Sequence, residues 1–434
     1  MRTKYLLLIV LLSFTGLAQA TPEIQHWLTS NGARIYFVAA PELPIVDIQI
    51  TFDAGAARDD GKDGLAVLTN GMLSEGAGQL DANAIAQRFD ELGARFSNSA
   101  QQDMAVLSLR SLSEERYLQP ASELVATILT QPSFPQDAFE RERKRMLIGI
   151  ERRKQSPDDQ ADEAFDKAVF GSHPYASLAG GQEETVKALT AADLSAFYDR
   201  YYVAKNAVVA VVGDLDRKGA EQLVNNLISR LPEGNAADPV PEVPALSEAK
   251  EVFIEHPSAQ THILVGQPGM RRGDPDYFVL YVVNHMLGGS GLVSRLSNEI
   301  REKRGLSYST YSYFIPMREN GPYTMGLQTR NESAQEALKV LRDELKAFVE
   351  KGPTDEELKA SKMNITGGFP LRIASNRNIV GYIAMIGFYD LPLNYLDEFN
   401  AKVEAVTRED IMDAFKRRVN PDKMATVMVG QKKE

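Results

Sequence analysis

Apolar and polar residues alternate along seven segments of the chain, and these segments fall into two groups. In the first half they are ARIYFVA (33–39), VDIQITF (46–52) and DMAVLSLRSL (103–112). In the second half they are KEVFIEH (250–256), THILVGQ (261–267), LSYSTYSYF (306–314) and YTMGLQT (323–329). Because β-branched and aromatic residues favour strands, the pattern predicts one β-sheet in each half.

Apolar residues three or four positions apart predict helices among these strands. The long charged segments 137–154 and 333–351 are examples. A shorter segment, GLAVLTNGML (64–73), places Leu65, Leu68 and Met72 on one face of a helix, although a glycine in its middle disfavours helicity. Strands grouped with long helices predict an α+β fold in which antiparallel-rich sheets are covered by helices on one face.

The two halves of the chain resemble each other in sequence. Residues 188–214 and 405–431 each begin a helix with Thr-x-x-Asp and finish with an apolar strand that ends at Gly213 or Gly430. TNGML (69–73) is repeated as VNHML (283–287). We therefore predict two homologous domains, residues 21–231 and 250–434, joined by the proline-rich linker 232–249.

The N-terminus has the three marks of a secretory signal peptide. Arg2 and Lys4 precede an apolar run, and Ala18-Gln19-Ala20 forms a small-residue cleavage site. The run is too short to span a hydrocarbon core of ~30 Å comfortably. We expect residues 1–20 to be removed near Ala20, which leaves a periplasmic protein with no membrane anchor.

The charge and the residue composition argue against some classes of partner and exclude sites that need cysteine. The net charge is −11, and losing Arg2 and Lys4 makes it −13, which argues against nucleic acid and anionic membranes as partners. The chain has no cysteine, so it can form neither disulfides nor a thiolate zinc site.

Four stretches together resemble the insulinase/pitrilysin (inverzincin, M16) peptidases in their two-domain form, over nearly all of the predicted mature chain. One is GAARDDGKDGLAVLTNGMLSEGA (55–77), another is FGSHPYASLAGGQEET (170–185), and a third is the paired domain endings. The most specific, residues 266–314, contains Gly-Gly-Ser-Gly, then Ser-Arg-Leu, then Arg-Glu-Lys-Arg-Gly-Leu-Ser-Tyr. The resemblance implies the α+β fold of this family, with each chain forming half of a clam-shell dimer around a peptide chamber.

In active members of the family, the first-domain helix reads Gly-Leu-x-His-x-x-Glu-His-Met, and its two histidines bind zinc while the glutamate activates water. The corresponding positions here hold Val67, Asn70 and Gly71, which lack those chemical groups. The third zinc ligand of the family, a glutamate, corresponds to Gly149, with Glu151 close by as the alternative. We therefore expect no metal site and no catalytic residue of this chain's own.

The five histidines do not replace that site. No two lie within four residues of each other, and we expect structural roles for all five, namely His26, His173, His256, His262 and His285. A second functional pair of the family is retained, however. The resemblance assigns Arg301 and Tyr308, seven residues apart, to contacts with the substrate backbone and the tetrahedral intermediate across the chamber. Without the resemblance, they are interpreted as a solvated helix charge and a half-buried strand aromatic.

These observations predict a non-catalytic, substrate-binding subunit of a periplasmic heterodimeric zinc peptidase. Its partners would be a paralogous M16 subunit carrying His-x-x-Glu-His and a peptide substrate, with zinc only in that subunit. The alternative is a peptide-binding or scaffold protein of the same fold with no enzymatic partner. A hydrolase with an unrelated site is a third possibility, but the chain has no Gly-x-Ser-x-Gly motif to support it.

Overall fold

The computed structural model describes residues 23–432, so the predicted signal peptide lies outside the described residues. The first half contains eight described strands. They are β1 (Gln25–Leu28), β2 (Arg34–Ala39), β3 (Ile45–Phe52), β4 (Gly76–Ala77), β5 (Leu80–Asp81), β6 (Arg95–Ala100), β7 (Ala105–Leu112) and β8 (Ala207–Gly213). Six of them form a sheet in the order β1-β2-β8-β3-β7-β6, and β4 pairs with β5. Strands β2 and β8 are parallel, and the other neighbours in the sheet are antiparallel.

The second half repeats this arrangement with five strands. They are β9 (Lys250–Glu255), β10 (Gln260–Pro268), β11 (Ser307–Phe314), β12 (Pro322–Arg330) and β13 (Ala425–Gly430). Their order is β11-β12-β10-β13-β9, and β9 runs parallel to β13 while the remaining pairs are antiparallel. This order matches β6-β7-β3-β8-β2 of the first sheet, which confirms the predicted duplication. The seven predicted strands and the two predicted domain-ending strands, β8 and β13, are also confirmed, whereas β1, β4, β5 and β6 were not predicted.

Helices connect the strands in both halves. Those of the first half are α1 (Leu65–Met72), α2 (Ala82–Glu91), α3 (Glu115–Thr130), α4 (Gln136–Arg153), α5 (Pro157–Phe170), α6 (Glu183–Ala188), α7 (Ala191–Tyr201) and α8 (Arg217–Ile228). Those of the second half are α9 (Tyr277–Asn284), α10 (Ala334–Lys351), α11 (Asp355–Arg372), α12 (Asn376–Phe388), α13 (Tyr395–Ala405) and α14 (Arg408–Arg418). The predicted capping boxes at Thr190 and Thr407 begin α7 and α14. Each threonine hydroxyl accepts from a backbone N–H in the first turn of its helix, which has no partner within the helix.

Each sheet is covered on its second face by a helix from the opposite half. Helix α12 packs on β2, β3 and β8 of the first sheet, while α5 packs on β10 and β13 of the second. In β2, Ile35 and Phe37 face the helices of the first half, whereas Tyr36 and Val38 belong to a core shared with the second half. The prediction of helices on one face is therefore wrong, and the reason is that strand alternation cannot show which distant helix covers the other face.

The segment 232–249 contains no helix or strand, yet it is attached to the fold. Val240 and Val243 are buried in the cluster formed by α5 and β13. His173 donates from Nε2 to the carbonyl oxygen of Pro241 at 2.8 Å, since its Nδ1 accepts from the backbone N–H of Tyr175. The segment therefore connects the halves along a fixed path.

Among residues 23–432, no helix is both long and apolar enough to cross a membrane.

Candidate functional site

Helix α1, which carries the positions of the family's zinc motif, is fixed at its N-terminus by a buried carboxylate. Asp59 accepts from the backbone N–H groups of Gly64 and Ala66, each at 2.8 Å. Gly64 has φ +94° and lies against Met146 and Gly181, so a side chain would not fit there. Burial raises the pKa of Asp59 to about 7, against the lowering effect of the two N–H groups. This cap was not predicted from the sequence, although an aspartate shortly before a helix is a recognisable signal.

The three positions on α1 lie in different environments, and none offers a metal ligand set. Val67 is partly buried and aliphatic, while Gly71 is exposed with open space where a side chain would stand. Asn70 is fully buried, and its Nδ2 donates to the hydroxyl of Tyr202 at 3.1 Å. Its Oδ1 has no partner within the described chain, and neither has the Oγ1 of the adjacent Thr69, so the three motif positions offer a metal no more than one amide oxygen.

Helix α4, which carries the position of the family's third ligand, packs beside α1. Gly149 is partly buried and has no side chain, whereas Glu151 is exposed and pairs with Lys154 at 2.9 Å. No group of three His, Cys, Asp or Glu side chains suited to a metal ion exists among residues 23–432. An aliphatic side chain, a bare backbone position and one amide do not fit a tetrahedral zinc site. We therefore assign no step of a reaction to a metal held by this chain.

The five histidines are separately engaged. Their partners are Ile35 O for His26, Tyr175 N and Pro241 O for His173, Ser258 N and Gln155 O for His256, Asp158 for His262, and Ser361 and Asn364 for His285. Burial lowers the pKa of His285, which stands at the second-half counterpart of the zinc helix. These contacts agree with the structural roles that we predicted.

Arg301 and Tyr308 are brought together by a helical turn and the strand that follows it. The helix predicted for SNEIREKRG is a π-helical turn over Ser297–Glu302, and Gly305 ends it with φ +61°. The guanidinium carbon of Arg301 lies 5.2 Å from the ring centroid of Tyr308. Arg301 also pairs with Glu302 at 3.1 Å. The structure therefore forms a cation–π pair from two residues that the resemblance had linked only by spacing.

Tyr308 is presented at an irregularity of an edge strand. The register of β11 against β12 shifts between Ser307 and Thr310, and β11 is the outer strand of its sheet. A bulge leaves one strand locally unpaired and turns its side chains outward. The side chain of Tyr308 is accordingly 85% exposed, not half-buried as an ordinary strand position would be.

A cavity of about 280 Å³ adjoins Tyr308. Its wall includes His262, Asp158 and Tyr311, and the Nδ1 of His262 lies 3.0 Å from a carboxylate oxygen of Asp158. Asp158 comes from α5 of the first half, whereas the other two residues come from the second sheet. The sequence could not predict this cavity because the exchange of helices creates it.

Comparisons with known proteins agree with this geometry. The family profile described as "Insulinase (Peptidase family M16)" matches residues 34–180, and the profile described as "Peptidase M16 inactive domain" matches residues 188–365. The chain is 41% identical to a crystal structure of a peptidase M16 inactive domain from Pseudomonas fluorescens, with a TM-score of 0.92 over 94% of this chain and 98% of that one.

Two further relatives extend the comparison. The "Non-peptidase homolog YmxG" of Helicobacter pylori is 26% identical and aligns over 99% of both chains. The first half of the periplasmic protease PqqL from Escherichia coli shares the fold, with a TM-score of 0.77 at 17% identity over 95% of this chain and 93% of that one.

Proposed function

The chain belongs to the M16 (insulinase) peptidase family, and on that premise we propose that it is the non-catalytic, substrate-binding subunit of a periplasmic heterodimeric zinc peptidase. The observation that carries the proposal is a contrast between its two halves. Helix α1 has lost all three groups of the zinc motif, while Arg301 and Tyr308 are stacked together on an exposed edge.

The chemistry of the retained pair suits an active site supplied by another chain. Arg301 is a fixed cation and Tyr308 a hydroxyl donor, and both can stabilise negative charge that develops on a peptide carbonyl oxygen. Neither residue has a nucleophile or metal ligand set beside it within the described part of this chain. The pair therefore assists hydrolysis only when a paralogous subunit bearing His-x-x-Glu-His closes against it.

The sheet edges give this subunit a way to bind extended peptides. Strands β6 and β11 occupy equivalent outer positions in the two sheets. An outer strand leaves one row of backbone N–H and C=O groups unpaired, and an extended peptide can add to it as a further strand. Strand β6 also contacts the degenerate motif, because the Nδ2 of Asn98 donates to the carbonyl oxygen of Asn70.

The proposed periplasmic location follows from the predicted signal peptide. The names of two relatives support the non-catalytic role and the link to a periplasmic peptidase. The relative from Helicobacter pylori is named a non-peptidase homolog, and the structural neighbour from Escherichia coli is named a periplasmic protease. The alternative, a scaffold or assembly protein of the same fold, is favoured by the first of these names and predicts no enzymatic partner.

Purification from the source bacterium distinguishes the two proposals. The full-length chain, tagged at its C-terminus and recovered from the periplasmic fraction, is expected to bring with it one M16 paralogue that carries His-x-x-Glu-His. Zinc and endopeptidase activity should accompany the complex and be absent from the separated tagged chain. Stoichiometric zinc with proteolysis in the separated chain would contradict the proposal, and a partner without the motif would favour the scaffold.

A further inference from the structure

A second cavity, of about 380 Å³, lies where the two halves meet. One wall comes from the β6–β7 turn and α5 of the first half, and the other from α12 and the segment after β11 of the second half. It contains none of the motif positions on α1, nor Arg301 or Tyr308. The cavity therefore shares no residue with the degenerate motif or with the Arg301–Tyr308 pair, and a ligand could bind in it whether or not the proposed function is correct.

Arg272 contributes a cation to this cavity that has no carboxylate partner. Its Nε is buried without a hydrogen bond, and its one polar side-chain contact is a long bond of 3.4 Å from Nη1 to the hydroxyl of Tyr277. The guanidinium lies over the rings of Tyr277 and Tyr389, at 5.8 and 5.7 Å from their centroids. No acidic group among residues 23–432 approaches it within 4.0 Å.

The acidic residues next to Arg272 in the sequence are already paired. Asp274 binds Arg418, and Asp276 binds Arg417 at 3.1 Å. A partly buried guanidinium without a counter-ion is unfavourable, because it loses hydration without gaining an ion pair. Arg272 can therefore pair with an anionic group that the described part of this chain does not supply.

Asp166 on α5 contributes the opposite charge and is equally unpaired. In the described chain its carboxylate has no hydrogen bond and no ion pair. Burial raises the pKa of Asp166 to about 7, and the negative charge of Asp162 one turn earlier adds to the shift. Arg272 and Asp166 line the same cavity without reaching each other, since no ion pair joins them.

Besides these two charges and the neutral amides of Gln101 and Gln102, the cavity wall is formed by engaged or apolar groups. Asp103 also lines it, but its oxygens accept from the hydroxyls of Tyr175 and Tyr389 at 2.8 and 3.0 Å and from the backbone N–H of Arg318 at 2.7 Å. Met104, Met317 and Met385 supply flexible apolar surface. An apolar pocket with two convergent polar groups is the usual form of a small-molecule site.

We propose that this cavity binds a small zwitterion, a molecule with a free ammonium group, a free carboxylate and apolar side chains. The ammonium would pair with Asp166 and the carboxylate with Arg272, while the methionines contact the side chains. Free amino acids and short peptides share this chemistry. Arg272 and Asp166 form no ion pair with each other, so a ligand that reaches both must hold its two charges apart. Of the two sources we commit to the dipeptide, whose charges are further apart than those of a free amino acid.

Calorimetric titration of the full-length chain with leucyl-leucine tests the proposal, and free leucine distinguishes the two ligand sources. Saturable binding of the dipeptide is expected, with at least tenfold weaker binding of N-acetyl-leucyl-leucine and of leucyl-leucine amide, each of which lacks one charge. No binding of the dipeptide up to about 10 mM, which is in the millimolar range of weak ligands, would overturn the proposal. Equal binding of the free and blocked forms would also overturn it.

Two substitutions connect each ligand charge to its residue. Asp166→Asn should weaken binding of the free dipeptide at least tenfold and leave binding of the acetylated dipeptide unchanged. Arg272→Gln should weaken binding of the free dipeptide at least tenfold and leave binding of the dipeptide amide unchanged. Arg271→Gln and Asp159→Asn are matched controls outside the cavity and should not alter binding. If either cavity variant fails to fold, as judged by circular dichroism, the blocked ligands on the unaltered chain still decide the question. Equal losses for free and blocked ligands would contradict the assignment.

Discussion

The guanidinium of Arg301 stacks over the ring of Tyr308, with 5.2 Å between the guanidinium carbon and the ring centroid. Tyr308 is largely exposed, so the stacking, together with the bulge in β11, holds its ring in place without burial. A cation–π pair at an exposed site contributes about 0.5–1 kcal/mol, which is enough to bias two side chains towards one arrangement. The pair is therefore arranged within this chain alone.

The proposed function predicts that removing the Arg301 cation slows the peptidase complex without preventing its assembly. In the complex with its partner, Arg301→Ala should raise the activation barrier by about 2.7–4 kcal/mol, the typical effect of losing one oxyanion donor. Steady-state kinetics on a fluorogenic peptide measures this, and size-exclusion chromatography measures assembly. Arg304→Ala is the matched control, because Arg304 is an exposed arginine of the same segment that pairs with Glu299. Unchanged turnover in Arg301→Ala would refute the role.

We expect the buried amide of Asn70, at the degenerate zinc motif, to stabilise the fold. Asn70→Ala removes the donor to Tyr202 and leaves a fully buried hydroxyl without its partner, which should lower the unfolding free energy by about 1–3 kcal/mol. Urea denaturation gives the value. A double-mutant cycle with Tyr202→Phe should show a coupling energy of about 0.5–1.5 kcal/mol. Additive effects of the two substitutions would show that the contact contributes nothing.

Asp103 should act as a link between the halves. It lies in the first half and accepts from the hydroxyl of Tyr389 and the backbone N–H of Arg318 in the second half. Asp103→Ala would leave these neutral donors buried without an acceptor and should lower stability by about 1–3 kcal/mol. Urea unfolding followed by both fluorescence and circular dichroism should then show separate transitions. Asp397→Ala, on the surface helix α13, is the control and should leave the unfolding curve unchanged.

Asp166 should make stability fall as pH rises towards neutrality. Its folded-state pKa of about 7 lies above the ordinary aspartate value, so between about pH 4 and 7 the unfolded chain releases a proton that the folded chain keeps. The stabilisation is complete at low pH and is lost as pH rises through 7. Asp166→Asn should therefore become more stable than the parent as pH rises, by about 1–2 kcal/mol at pH 7.5 after allowance for solvent contact.

Chemical denaturation at pH 5, 6, 7 and 8 gives this difference, and Asp159→Asn is the control for charge on the same helix. Both variants keep Asp162, whose charge acts on Asp166, and the charged and titratable groups that line the same cavity, namely Asp103, Tyr175, Tyr389 and Arg272. A constant difference between Asp166→Asn and the parent across this pH range would show that Asp166 titrates normally.

The sequence by itself determined the local structure and the missing chemistry. Strand alternation, helix periodicity and the Thr190 and Thr407 caps depend on neighbours a few residues apart, so they can be read along the chain. The absence of ligands at Val67, Asn70 and Gly71 follows from residue identity alone. The location, the partner and the role of Arg301 and Tyr308 stay predictions.

Tertiary structure alone decided which helix covers which sheet and which side chains meet. Helices α5 and α12 each pack on the sheet of the opposite half, and this exchange creates the cavity that contains Arg272 and Asp166. Asp103 and Tyr389 lie 286 residues apart in the chain, yet their side chains share a hydrogen bond. Contacts over such separations arise from the packing of whole elements and leave no periodic signal in either segment.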